Sequence, residues 1–213
     1  LARSRAIRAF LADAGWNGAA RRHLQGDAST RRYERVHHDG RSGVLMDWPP
    51  EIAPKVPDPR VMFRARDVRA VIAVGGALRG LGLSAPELYA ADAERGLLLI
   101  EDLGSEPILR DGAPDPERYR AAVDVLALLH SEQRPDVLPL PDGTSHPLPA
   151  FTAEAFAVEA AMFLDWYVPH ATGVSATPAM RDEFTAIWEG IIARLAGKER
   201  GWVLLDYHSP NLL

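Results

Sequence analysis

Val203-Leu204-Leu205-Asp206-Tyr207-His208-Ser209-Pro210-Asn211-Leu212-Leu213 is the last stretch of a 213-residue chain, and its reading decides the fold. The apolar residues 202–205 read as a strand that delivers Asp206 from rigid structure, and Asn211 follows five residues later. A carboxylate and a carboxamide at this spacing are the parts of a phosphoryl-transfer loop. There the acid accepts or orients a hydroxyl, and the amide oxygen holds magnesium on nucleotide phosphates. Taken alone, the same residues describe a strand-terminal aspartate capping a turn, with Asn211 an ordinary loop residue. His208 reads either as a contact to phosphate or substrate, or as a loop histidine bonded to backbone.

Working outward, the preceding segments are helical. Thr177-Pro178 opens a helix carrying Phe184, Ile187, Trp188, Ile191 and Leu195, and Thr152 opens one with Phe156, Ala160, Phe163, Leu164 and Tyr167 on one face. Asp165, Trp166 and Tyr167 are expected to close that helix. Asp115 and Pro116 begin another, with Tyr119, Ala122, Val123, Leu126 and Leu129 as its stripe. Residues 134–149 hold five prolines and read as an extended connection.

Upstream of Glu101 the texture changes to strands. Residues 21–25, 31–37, 42–47, 87–91 and 97–100 read as five strands, with Asp39-Gly40 as a hairpin turn and Glu94-Arg95-Gly96 as another. A helix over residues 4–14 precedes them, stopped by Gly15. A second is expected from Asp58-Pro59 through Phe63, Asp67 and Val71 toward Gly75-Gly76 or Arg79. Strands followed by helices, joined near Leu103-Gly104, make an α+β chain with two lobes, and nucleotide clefts commonly lie between such lobes.

Composition bounds the alternatives. A hydrophobic content of 47% supports one substantial core or two modest ones, and a net charge of −5 gives no basic excess for nucleic acid. There is no cysteine, hence no disulfide framework, and no apolar run approaches the roughly 20 residues of a membrane span. A cytoplasmic monomer is expected, with no nucleic-acid or membrane partner. Leu1 in place of Met suggests that the natural N-terminus is missing.

Several blocks carry a resemblance. They are Gly26-Asp27-Ala28-Ser29-Thr30-Arg31-Arg32-Tyr33, Val44-Leu45-Met46-Asp47 with Pro49-Pro50-Glu51, Leu97-Leu98-Leu99-Ile100-Glu101-Asp102-Leu103-Gly104, Phe163-Leu164-Asp165-Trp166-Tyr167, and the Asp206–Asn211 loop. Together they resemble the aminoglycoside phosphotransferase and choline kinase superfamily of protein-kinase-like enzymes. Within it they look most similar to the bacterial anomeric kinases of N-acetylmuramate and N-acetylglucosamine in cell-wall recycling.

The resemblance implies a bilobal protein-kinase-like fold. Residues 1–103 would form a five-stranded antiparallel nucleotide-binding lobe, and residues 104–213 a mostly helical lobe, incomplete at its C-terminus. It also implies ATP and Mg2+ as cofactors and a small sugar as substrate. Asp206 would be the catalytic carboxylate and Asn211 the metal ligand. Gly26, Asp27, Ala28, Ser29 and Thr30 would cover the phosphates, with Arg32 adding charge. Glu101, Asp102 and Leu103 would meet the adenine edge through their main chain, with side-chain identity mattering little. Asp165, Trp166, Tyr167 and His208 would face the sugar, whose C–H face stacks on aromatic rings.

Two positions depart from the superfamily pattern: Leu204 stands where a histidine usually precedes the catalytic aspartate by two residues, and Met46 where a lysine pairs with phosphates. A second metal-binding carboxylate is expected beyond Leu213, so the chain reads as truncated, inactive on its own and marginally stable. An aminoglycoside or amino-alcohol acceptor, and a non-catalytic nucleotide-binding module, are the open alternatives.

Overall fold

The computed structural model describes residues 1–25, 31–50, 65, 67–198 and 200–213. They fall into two compact units. One takes in the described residues of Leu1–Pro54, Ala65–Leu148 and Leu204–Leu213, and the other is built on Pro149–Val203.

The first unit is organised by a five-stranded sheet of β1 (Ala20–Leu24), β2 (Arg32–His38), β3 (Arg41–Asp47), β4 (Leu88–Asp92) and β5 (Leu97–Glu101), in the order β1-β2-β3-β5-β4. All neighbours are antiparallel, as the sequence leads one to expect. Asp39 (φ 47) and Gly40 (φ 76) make the β2–β3 turn with both central residues left-handed, the backbone that matches strand twist. This fixes the register of Tyr33 opposite Met46.

Helix α1 (Ala2–Asp13) packs on one face of the sheet. Because side chains alternate along a strand, Leu97 and Leu99 join Ile7, Phe10, Leu11, Trp16, Val36 and Leu45 there. Leu98 turns to the other face, with Met46, Trp48 and Val68. Val68 opens helix α2 (Val68–Gly80), and Asp67 caps it by accepting from the Arg69 N–H at 2.8 Å. Asp67 is therefore the cap of this helix rather than a residue within it. The expected helix start at Asp58-Pro59 lies outside the described residues.

Among the described glycines, Gly96 is the one where an added side chain would clash most severely. Its carbonyl accepts from the Trp48 N–H at 2.8 Å, and an added Cβ would sit 1.9 Å from the Trp48 oxygen at φ +65.

Helix α3 (Pro116–His130) is capped by Asp115, as read, through the Glu117 N–H at 3.0 Å. Two small hairpins were not legible. β6 (Leu109–Arg110) and β7 (Ala113–Pro114) turn on Asp111 (φ 52) and Gly112 (φ 77), a second Asp-Gly pair. β8 (Val137–Pro139) and β9 (Ser145–Pro147) occupy the stretch read as an extended connection. Proline is tolerated there because a two-stranded ribbon consists only of edges. Asp142 closes its turn by accepting from the Thr144 N–H at 2.9 Å. The expected strand over 202–205 does not form: a strand needs a ladder partner, and the described residues offer it none.

In the second unit, Thr152 caps α4 (Ala153–Met162) and Thr177 caps α6 (Pro178–Leu195). Between them Phe163–Tyr167 forms a single π-helical turn that runs straight into α5 (Val168–Thr172). These aromatic residues thus interrupt the helix rather than close it. Among the described residues no helix is long and apolar enough to cross a membrane.

Candidate active site

The loop that carries Asp206 and Asn211 is closed on itself. Ser209–Asn211 form one 3-10 turn, and the Asn211 side chain donates from Nδ2 to the Asp206 carbonyl oxygen at 2.9 Å. His208 Nε2 lies 3.0 Å from Asp206 Oδ1. It also lies 3.2 Å from Asn211 Nδ2. With its proton on Nε2, the imidazole donates to the carboxylate, and its approach to Asn211 is then a contact, since two donors cannot pair. His208 is therefore bound to the carboxylate, not to backbone. The structure brings Asp206, His208 and Asn211 together, with the Asp206 side chain 74% exposed and open to a reactant.

Tyr207 anchors this loop. Its hydroxyl donates to the Ala122 carbonyl of α3 at 2.7 Å, and burial pushes its phenol above the ordinary tyrosine range. Leu204, where the superfamily pattern has histidine, is half-buried and carries no polar group. The imidazole that reaches Asp206 comes instead from two residues after it.

At the end of β5, Glu101, Asp102 and Leu103 differ sharply from one another. The Glu101 N–H donates to the Glu87 carbonyl at 2.8 Å, and its carboxylate accepts from the Glu87 N–H at 3.1 Å. Asp102 turns its carboxylate inward, with a side chain only 9% exposed. It accepts from Ser42 Oγ at 2.5 Å and from Arg35 Nη2 and the Gly104 N–H at 3.1 Å each. Burial pushes the Asp102 carboxyl up. The bonds from Ser42, Arg35 and Gly104, with the Arg35 charge, outweigh that and hold it below the usual carboxylate range. The Asp102 side chain is thus tied to β2 and β3, a role that the reading of this strip as a main-chain contact did not assign to it. Leu103 is 40% exposed, and no described residue takes its N–H or C=O.

Met46, at the position of the missing lysine, is buried against Trp48, Val68 and Leu98, so β3 supplies no cation there. Arg32 is exposed at the start of β2, while the Arg31 guanidinium lies 5.5 Å over the Trp48 ring. Gly26, Asp27, Ala28, Ser29 and Thr30 lie outside the described residues.

Asp165, Trp166 and Tyr167 belong to the second unit. Trp166 is 66% exposed and Tyr167 59%, so neither finishes a core; Leu164 is the side chain of this turn that is buried. Asp165 accepts from Arg181 Nη1 of α6 at 2.7 Å, a partner not anticipated from sequence. Tyr167 stacks on Phe163 at 5.1 Å.

Among the described residues no group of three or more His, Cys, Asp or Glu side chains is placed to hold a metal ion. The donors that remain near Asp206 are its free carboxylate oxygen and Asn211 Oδ1, left available because the amide points its NH2 at backbone. A sparse pair of hard oxygens suits magnesium, which keeps several waters and relies on substrate phosphates.

Comparison with known proteins agrees with this chemistry. Residues 21–213 match the phosphotransferase enzyme family. A curated relative from Caulobacter vibrioides, named N-acetylmuramate/N-acetylglucosamine kinase, is 35% identical over 228 aligned positions, covering 99% of this chain and 62% of the relative. A protein of the same name from Pseudomonas aeruginosa is 30% identical, covering 88% of this chain and 49% of its own length. The chain spans about half to three-fifths of the length of the relatives it matches. With the family pattern running from β1 to the closed loop of Asp206 and Asn211, the chain belongs to the phosphotransferase enzyme family.

Proposed function

We propose that the protein is an ATP- and magnesium-dependent kinase of a small amino sugar. It phosphorylates the anomeric hydroxyl of N-acetylmuramate or N-acetylglucosamine in cytoplasmic peptidoglycan recycling. The observation that carries this reading is the self-closed loop in which His208 and Asn211 converge on Asp206, anchored to α3 through Tyr207. The names of the curated relatives support the sugar as acceptor.

In this reading Asp206 accepts the sugar hydroxyl proton as that oxygen bonds to the terminal phosphorus, and the bond to the bridging oxygen breaks to release ADP. His208 holds one carboxylate oxygen, leaving the other for the hydroxyl. Little covalent help is needed in a loose transition state, so positioning dominates. Asn211 Oδ1 would help hold magnesium, whose charge would offset that of the triphosphate. Residues 1–103 form the nucleotide lobe, with residues 26–30 over the phosphates, Arg32 adding charge and Leu103 meeting the base through its main chain. Residues 104–213 form the acceptor lobe, in which the exposed rings of Trp166 and Tyr167 offer a sugar a stacking surface beside Asp165.

The buried Met46 favours one rival, a nucleotide-binding module without turnover. Incubation of the full-length protein, extended past Leu213, with magnesium–ATP and a panel of N-acetylated sugars and aminoglycosides, followed by phosphorus NMR of the products, tests both. An anomeric sugar phosphate is expected. Transfer to aminoglycosides alone overturns the sugar assignment, and nucleotide binding indifferent to magnesium with no product favours the rival.

A further inference from the structure

We propose that Arg35, Ser42 and Asp102 form a clamp that holds the Leu103 peptide groups in a fixed pose for reading the edge of a nucleotide base. All three act as positioning residues and none touches the ligand. The inference rests on the reading of residues 101–103 as the base-contacting strip and adds what gives that strip its shape.

The clamp draws on three separate stretches of chain. Arg35 comes from β2 and Ser42 from β3, and Asp102 follows β5. Arg35 Nε lies 2.7 Å from Asp102 Oδ2, the same oxygen that accepts from Ser42. The other oxygen takes Arg35 Nη2 and the Gly104 N–H, both at 3.1 Å. Arg35 Nη2 reaches the Gly104 carbonyl as well, at 3.5 Å. Gly104 adopts φ +91, which lets the chain double back over the aspartate.

The consequence falls on Leu103. On one side Glu101 is pinned by the ladder to β3 and by the Glu87 carbonyl. On the other, both main-chain groups of Gly104 are bound by the clamp. Between these fixed points Leu103 keeps a donor and an acceptor that no described residue takes. Leu103 is exposed, so water can meet its main-chain groups until a ligand displaces it, and an open pair held between two bound neighbours is a template for a planar ligand edge. Rigidity there removes an ordering cost from binding. The depressed Asp102 carboxyl keeps the clamp charged through the neutral range. A buried ion pair adds little net stability compared with apolar packing, so stability alone does not account for placing one here.

Titration calorimetry of the chain with magnesium–ATP and with magnesium–tripolyphosphate tests the clamp, because only ATP presents a base. Asp102→Asn should weaken ATP binding by roughly 10-fold or more, the loss expected for charge-assisted bonds, while leaving tripolyphosphate within about two-fold. Ser42→Ala should weaken ATP by roughly 3-fold, the lower end for one neutral donor, again sparing tripolyphosphate. Ser42→Ala decides the matter if Asp102→Asn does not fold. Equal weakening of both ligands, or no change in either, overturns the clamp. Failure of the kinase reading shows itself earlier, as an unsubstituted chain that binds neither ligand. An unsubstituted chain that binds tripolyphosphate as well as ATP removes the base strip, and the clamp with it.

Discussion

The sheet and the helices of this chain are stabilised in different ways. In the first unit Val36, Leu45, Leu97, Leu98 and Leu99 are wholly excluded from solvent, and apolar clusters cover both faces of β5. In the second, the whole 18-residue α6 buries no residue, and α4 buries only Ala155. Ring pairs are among its apolar contacts, Phe163 on Phe184 at 6.0 Å and Phe184 on Trp188 at 6.2 Å. Fully burying a large apolar side chain contributes about 1.5–3 kcal/mol, so packing dominates the sheet. Helices without such burial depend on their caps and ring contacts, and local opening there costs less.

The loop of Asp206 gives the largest expected effect, because it belongs to the well-packed unit and yet is exposed. In the full-length protein, Asp206→Asn should lower the rate of phosphate transfer by about 10²–10⁴-fold, the usual contribution of a positioned acid or base, with unchanged thermal melting. A fall in melting temperature alongside would mean that the loop also supports the sheet. Next, Leu98→Ala should cost about 2–5 kcal/mol in denaturant unfolding. Ile187→Ala, at a side chain 55% exposed, should cost less than about 0.5 kcal/mol. Equal losses at the two sites would erase the contrast between units.

Smaller still, Thr177→Ala should cost about 1 kcal/mol and speed amide exchange in α6 without touching β5. Exchange that rises everywhere would show the two units unfolding as one. The smallest effect is acid sensitivity. Asp102 has a folded value below its unfolded one, so the stability it adds is complete above the ordinary aspartate value of about 3.9 and is lost as pH falls through the folded value. Asp102→Asn should flatten the unfolding-versus-pH curve of the sheet unit below about pH 4 and leave the helical unit unchanged.

Much of the sheet could be read from the chain because its signals are local. Alternation in β2 and β3, the Asp39-Gly40 turn and the Leu97–Ile100 run each depend on neighbours in sequence, and each element formed within a residue or so of its expected bounds. The hairpin at Leu109–Pro114 escaped notice because strands of two residues carry no periodicity, although its Asp111-Gly112 turn used the same device. Residues 202–205 misled for the opposite reason: their apolar pattern suits a strand, but pairing is a property of partners, not of the segment. At the site, Asp206 and Asn211 were visible through their spacing. Ser42 and Arg35 were not, since they reach Asp102 across 60 and 67 residues and no sequence motif links them. Arg181 and Tyr207 were hidden in the same way, one as an ordinary helix charge and the other as a residue between two more conspicuous ones.

The wide turn at Phe163–Tyr167 has a bearing on how this surface can change. A helix advances about 100° per residue, so one surplus residue in a turn rotates everything after it relative to everything before. Dropping a single residue from this segment would restore even winding and swing Trp166 and Tyr167 to a new bearing around the axis. Length, rather than side-chain chemistry, would then be the quickest way to redirect the two rings.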